Sequence, residues 1–392
     1  MRRLVTALAL VAAAAAPVRA AEPVAIQHPA TGHEAHYSGA AVAVDREGPI
    51  VTWIAGEHGE NNVYVSRGGT QRLRINPSGT SADSLHQSPG IAVAPGGEIY
   101  VTWASRRPKP EGGLFASDLQ LSRSLDGGKS FDPPLRVSEE SPTSHSFEAI
   151  AIAADGTALV AWIETKPGEK PHTFVARVID RGSRVEKITV VDVDETCVCC
   201  RVALTASKPD LVTVFWRKVF AGDVRDMVLA RSADGGRTFA PAARVHADNW
   251  KIAACPHRGG SVAVYGRGRV HAVWYTEGSR NEPDVLYATS SDGVRFDKPK
   301  RVHVSSTSVP DHVRLAVSPH GRAVIVWEDV TAVRRRVLMR EAKADALGPV
   351  KLLSQAIKAY APDVGMTPSG EPVVVWHEER FPRTNTMILK ER

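Results

Sequence analysis

The chain has 392 residues, of which 43% are apolar and 23% charged, and a formal net charge of +6. Loss of Arg2, Arg3 and Arg19 with the N-terminal segment described next brings the charge to about +3, too small a surplus to argue for a nucleic-acid partner. No stretch beyond that segment approaches the ~18–20 apolar residues that a bilayer-spanning helix needs.

Residues 1–20 combine a basic start (Arg2, Arg3), an apolar run through Ala16 and the small-residue ending Val18-Arg19-Ala20. This is the plan of a cleaved secretory signal, and it predicts a mature domain over 21–392, exported to a bacterial periplasm or exterior. An isolated strand-like segment, Pro23–Gln27, comes next. Then one pattern recurs: an alternating apolar strand, a Gly-containing turn, and a Val/Ile-rich strand ending at Trp53, Trp103, Trp162, Trp216, Trp274, Trp327 and Trp376. The spacing is that of propeller blades rather than of helical repeats. Each tryptophan is followed by a variable loop, a third strand and, in every unit except the last, a fourth. The last unit stops after its third strand, while Pro23–Gln27 reads as a fourth strand without a unit. The pattern predicts an all-β, seven-bladed β-propeller of four-stranded blades, closed by the N-terminal strand joining the C-terminal blade. A fixed repeat position assigns the tryptophans to packing between blades.

Two segments between third and fourth strands, Ser124-Leu125-Asp126-Gly127-Gly128-Lys129-Ser130-Phe131 and Ser232-Ala233-Asp234-Gly235-Gly236-Arg237-Thr238-Phe239, share one turn chemistry, and Ser290–Phe296 is a shortened copy. Asp accepts from turn amides, Gly supplies positive φ and the aromatic anchors the turn. These segments resemble the Asp-box of the sialidase-like (BNR repeat) propeller superfamily. The resemblance implies that the boxes are structural and lie on the face opposite the functional one. Sialidases are usually six-bladed, so a six-bladed ring is the alternative fold.

The segments that precede first strands run inward over one face of such a ring. Aligned on the strand that follows, they place His36, His86, His145, Cys197 and Cys255 at nearly one position in five successive loops, with His33, Cys199, Cys200, His257 and His312 nearby. Four cysteines in an exported chain most simply form two disulfides. However, Cys199 and Cys200 are adjacent, and only Cys255 lies outside the cluster, which makes two pairs awkward. Thiolates with imidazoles suit Cu(I) or Zn(II), so Cys197, Cys199, Cys200 and Cys255, with His36, His86, His145 and His257, are the candidate ligands of a transition metal, copper before zinc.

The family resemblance implies a second kit: three arginines that hold a substrate carboxylate and a Tyr nucleophile activated by Glu. Arg201, Arg258 and Arg314 precede first strands of three successive units, Tyr360 lies in the corresponding loop of the seventh, and Glu148 is the candidate partner; no Asp acid is assigned. The stretch Arg74–Pro77 reads as a repeat strand. Acids after the tryptophans, Glu57, Glu164, Glu277, Glu328, Asp329 and Glu378, read as solvated loop charges. Three functions fit these residues. They are metal handling or redox chemistry in a Cys/His-lined funnel, an exo-sialidase type of glycoside hydrolysis on a small anionic sugar, and a non-catalytic platform for another periplasmic protein.

Overall fold

The computed structural model describes residues 22–26, 39–57, 59–69, 72–83, 88–107, 116–140, 143–207, 210–266, 268–278, 280–343, 346–380 and 383–390. The expectations placed on residues 1–20, Gln27, His33, His36 and His86 fall outside them. The described elements are all strands. No helix among them is long and apolar enough to cross a membrane.

Alternating β-branched and small residues put one face of each strand toward a neighbouring sheet, and Gly turns reverse the chain between strands. The result is a succession of antiparallel four-stranded units, such as Ser144–Ile152, Ala158–Thr165, His172–Ile179 and Arg184–Asp192. In the second unit the inner position is split: Ser81–Ala82 and Gly90–Val93 both pair with Ile99–Arg106. The eight-stranded sheet is two such units joined by a single parallel pairing, Arg335 with Lys358. The inner strands touch in a closed cycle: Ala41–Asp45, Gly90–Val93, Ser144–Ile152, Ala203–Ala206, Gly260–Tyr265, Val309–Val317, Lys358–Met366 and back to Ala41–Asp45. Val24 and Ala25 pair with Ile388 and Met387, and the Ile26 amide donates to the Thr386 carbonyl at 2.8 Å, so the N-terminal strand completes the last unit as its sequence predicts. Closure covers the Arg383–Lys390 edge, and several of the outer strands that remain, such as Leu73–Arg74 and Leu135–Arg136, are only two residues long.

The seven repeat tryptophans are at most 1% exposed, each in the middle of its unit's second strand. They fill the space between units: Trp216 packs with Leu159 and Val175 of the preceding unit, and Trp53 with Val373 and Val375 across the closure. The acids read from sequence as solvated behave otherwise: Glu164, Glu328, Asp329 and Glu378 are buried. The second strands run past the tryptophan, and with a period of two an acid two residues on returns to the indole's side. Thus the Trp162 Nε1 donates to Glu164 (3.4 Å) and the Trp376 Nε1 to Glu378 (3.0 Å).

Antiparallel alternation sends the starts of the inner strands to one end of the ring and the turns after third strands to the other. At that far end Asp234 accepts from the Arg237 and Thr238 amides (3.0 and 2.9 Å) and from the Thr238 hydroxyl (2.6 Å), while Ser232 accepts from the Gly236 amide (2.7 Å). Asp126 and Asp292 repeat the amide contacts. Replacing Asp234 by Ala removes four acceptor bonds from one turn, the Ser232 hydroxyl being the fourth donor; a loss of roughly 1–3 kcal/mol is expected, read as a lower denaturation midpoint, with the near end of the ring unaffected.

Candidate functional site

At the near end, four inner loops carry non-glycine residues in the left-handed region: Phe147 (φ 58°), His257 (54°), His312 (46°) and Ala361 (49°). In three of them the strand register also skips, between Ser146 and Ala149, Asp311 and Arg314, and Tyr360 and Asp363, each time opposite the unit's tryptophan. Such bulges re-aim side chains and gather at functional sites. Here they bring Glu148, Arg314 and Asp363 to the axis, where with Arg201 they line a cavity of about 200 Å³. Gly259 allows two loops to close up, since a Cβ there would collide with the Arg201 carbonyl.

One pocket gathers Arg201, Arg258 and Arg314 with His257, His312, Tyr275 and Asp311. Arg258 pairs with Asp311 at 3.3 Å and lies 4.6 Å from the Tyr275 ring centre; Arg314 approaches Asp363 at 3.7 Å. Arg201 donates to the carbonyl and hydroxyl of Ser88 (3.1 and 3.0 Å) and has no carboxylate within ion-pair distance among the described residues. Burial, and next the repulsion of Arg314, bring its pKa down to about 9. The His312 imidazole is pushed up: burial opposes this, but Asp311 and Glu328 outweigh it, with Nδ1 at 3.2 Å from Glu328.

Glu148 is 1% exposed and its Oε2 has no partner among the described residues. Burial raises its pKa to about 7 against the pull of Arg201. A carboxyl whose folded pKa lies above its unfolded value gives stability that is full below the unfolded pKa and lost as pH rises through the folded one. Between about pH 4.5 and 8 ionisation of Glu148 therefore costs on the order of 2–3 kcal/mol. Glu148→Gln is expected to melt higher than the native chain at alkaline pH and close to it at acid pH, measured by calorimetry at both.

Beside this pocket, Cys197, Cys199 and Cys200 place their sulfurs within 4.8 Å of one another, all buried. A tight turn, with the Cys200 amide on the Cys197 carbonyl at 3.2 Å, folds the run so that the three sulfurs converge. The Cys197–Cys199 separation is 3.9 Å, close to the ~3.8 Å of two thiolates on one tetrahedral zinc with 2.3 Å bonds. Cys197 and Cys200 are 2.7 Å apart, so a small outward turn of either side chain brings the pair to the spacing of two thiolates on one ion. The neighbouring thiols, and then Arg217, hold Cys197 toward its thiolate, whereas burial and the Cys197 charge push Cys200 up. Arg225 reaches the Cys197 sulfur at 3.5 Å. Arg217 is fully buried, donating to the carbonyls of Arg258, Arg225 and Tyr275 and stacking on Trp250. Neither arginine has a carboxylate within ion-pair distance among the described residues.

Of the other metal candidates, His257 is nearest in kind. Its ring lies 6.4 Å from that of Phe147, which packs on the cysteines, and it feels the Cys197 charge while burial keeps its pKa low. Cys255 is exposed and outside the group of three. His145 is buried with both ring nitrogens engaged by Thr143, Ser117 and Glu164, so it braces its loop. Tyr360 is buried under Arg335, 4.8 Å from its ring centre, and does not line the arginine pocket. Tyr275 does, and its hydroxyl donates to Glu277.

Arg217, Arg225, Tyr275, Asp311 and Asp363 are absent from the residues that the repeats single out. A signal exists at the position after each tryptophan, which reads Ile54, Ala104 and Ile163 in the first three units but Arg217, Tyr275, Glu328 and His377 in the last four. That switch from apolar to polar at a buried position marks the half of the ring that carries the site.

No protein-family model matches the chain, and no curated protein does. Among solved structures, a Dyadobacter fermentans protein of unknown function aligns at 17% identity over 78% of this chain and 94% of its own, with a TM-score of 0.56. A Hadza microbial sialidase aligns at 13% over 88% and 77%, TM-score 0.52, and the Penicillium chrysogenum α-L-arabinanase at 15% over 77% and 92%, TM-score 0.53. At these identities the likeness establishes architecture: the chain has the all-β fold of the sialidase-like propellers.

Proposed function

We propose that the chain is an exported seven-bladed propeller whose funnel binds a soft transition metal, copper(I) or zinc, on Cys197, Cys199 and Cys200, for metal handling or redox chemistry. The observation that carries this reading is a charge imbalance. Arg217, fully buried, and Arg225, partly buried, flank three buried thiols with no carboxylate within ion-pair distance among the described residues, and a buried cation without counter-charge costs several kcal/mol. Three thiolates leave two negative charges around Cu(I) and one around Zn(II), which two guanidinium groups offset. His257 is the imidazole placed to support the trio. Elemental analysis with a thiol count on the exported protein tests this. About one equivalent of metal, with thiols reactive only after its removal, is expected. Oxidised cysteines and no metal after anaerobic reconstitution would overturn it and leave the non-catalytic platform.

A second reading, sialidase-type hydrolysis, draws on the convergence of Arg201, Arg258 and Arg314 on one pocket. In that pocket Tyr275 with Glu277, rather than Tyr360 with Glu148, supplies the Tyr–Glu pair, and Asp311 is the neighbouring acid. Release of a fluorogenic aglycone from a sialoside, abolished in Tyr275→Phe, would support it; no release by the native chain removes it.

A further inference from the structure

We infer that metal reaches the cysteines as an anionic low-molecular-weight complex, a carboxylate chelate captured on Arg201, Arg258 and Arg314, rather than as a free cation. The inference rests on the thiolate reading above. Arg201 directly follows Cys200 and lines the arginine pocket, the axial cavity and a third recess beside Ser88. His257 faces the same pocket and, through Phe147, adjoins the cysteines. The trio and the pocket are therefore two parts of one wall.

The charge on that wall decides what can approach. Among the described residues, Arg201, Arg217, Arg225, Arg258 and Arg314 face Asp311, Asp363, Glu277 and the Cys197 thiolate, which leaves a positive surplus while buried Glu148 keeps its proton below neutral pH; Glu328 is taken by Arg335 and His312. The acids just before the cysteines are also committed: Asp192 and Asp194 to Lys218, and Glu195 to Lys170. A hydrated cation meets net repulsion, whereas an anionic chelate is drawn in and its free carboxylate oxygens find a bidentate guanidinium. Arg201, the pocket arginine with no carboxylate within ion-pair distance among the described residues, is the natural anchor. Transfer is ligand exchange without electron movement: metal–carboxylate bonds break as metal–thiolate bonds form. The thiol protons pass to solvent, and the freed carboxylate leaves on the arginines.

The sign of the salt effect on loading tests this, because it does not depend on how tightly the chelator holds the metal. Cobalt(II) is the probe, read by thiolate-to-cobalt charge-transfer absorbance after mixing with the reduced full chain, either as the citrate complex or as the aquo ion in a non-coordinating buffer. Raising salt from about 20 to about 200 mM is expected to slow loading from citrate by roughly 3- to 10-fold and to speed loading from the aquo ion. Arg314→Gln should flatten both responses while the final absorbance is kept, and Arg314→Lys should restore them. No charge-transfer band from either source, with Cys197→Ser indistinguishable from the native chain, would remove the thiolate site itself. A full band with the same salt response for both sources, or with citrate loading unchanged in Arg314→Gln, would overturn the anionic-complex inference and leave the thiolate site standing.

Discussion

A Cys197→Ser, Cys200→Ser variant, reduced and loaded under anaerobic conditions, is expected to bind copper(I) or zinc more than about 100-fold more weakly than the native chain. Loss of an outer-shell partner alone typically costs 10–100-fold, and this change removes two donors outright. The serines keep the size of the side chains and the turn that holds them, so the fold should persist; the measurement is competition with a calibrated chelator, with circular dichroism as the control. Arg217→Met is the more discriminating companion. It preserves packing on Trp250 but deletes the fully buried guanidinium that favours the Cys197 thiolate. A fall of roughly 10- to 100-fold in affinity is expected, with the pH at which metal is half released moving upward, because thiol protons then compete more strongly. If Arg217→Met leaves both unchanged, the arginines are packing elements and the charge argument fails. Cys255→Ser should change affinity little, since Cys255 is exposed and outside the trio.

The repeats made the architecture readable because a blade is a local unit: strand, turn, strand and tryptophan lie within a few dozen residues, and ring closure needs only the observation that one terminus lacks what the other has. Pro23–Gln27 and the last unit supplied that. The cysteine trio was equally legible, being a single run. The arginine pocket was partly so, since Arg201, Arg258 and Arg314 share a repeat position. The failures have one physical source. Register skips opposite Trp162, Trp327 and Trp376 shift residues off the repeat alignment, so that positions aligned in sequence point differently in space. His145 shares an aligned position with Cys197, yet it turns to meet Ser117 of the preceding unit and Glu164 of its own. Tyr360 sits under Arg335, while Tyr275, on a second strand and outside the inner loops, reaches the pocket. Burial of Glu328 and Glu378 was hidden for a related reason: an acid near a strand end reads as solvated unless the partners that neutralise it are known, and those are Arg335 on the next strand for Glu328 and Arg380 two residues on for Glu378.

The tryptophans separate packing from hydrogen bonding within one repeat position. Trp216→Ala is expected to destabilise the chain by about 3–5 kcal/mol, because the indole is fully buried among Leu159, Val175 and Val212 and a cavity there is walled by two sheets that cannot both move inward. Phe in place of Trp should then divide the positions into two classes. The Trp216 Nε1 has no partner among the described residues, so Trp216→Phe loses volume alone. The Trp274 Nε1 donates to Asp248 at 2.7 Å, and Asp248, 2% exposed, also holds the His246 Nδ1 at 2.6 Å. Trp274→Phe thus strips one donor from a buried carboxylate, and the cost of leaving such a group short of a partner adds to that of the missing ring atoms. Trp274→Phe is expected to be about 1–2 kcal/mol less stable than Trp216→Phe by denaturant unfolding at neutral pH. Equal destabilisation by Trp216→Phe and Trp274→Phe would mean that the Trp274 contact contributes shape and not hydrogen bonding.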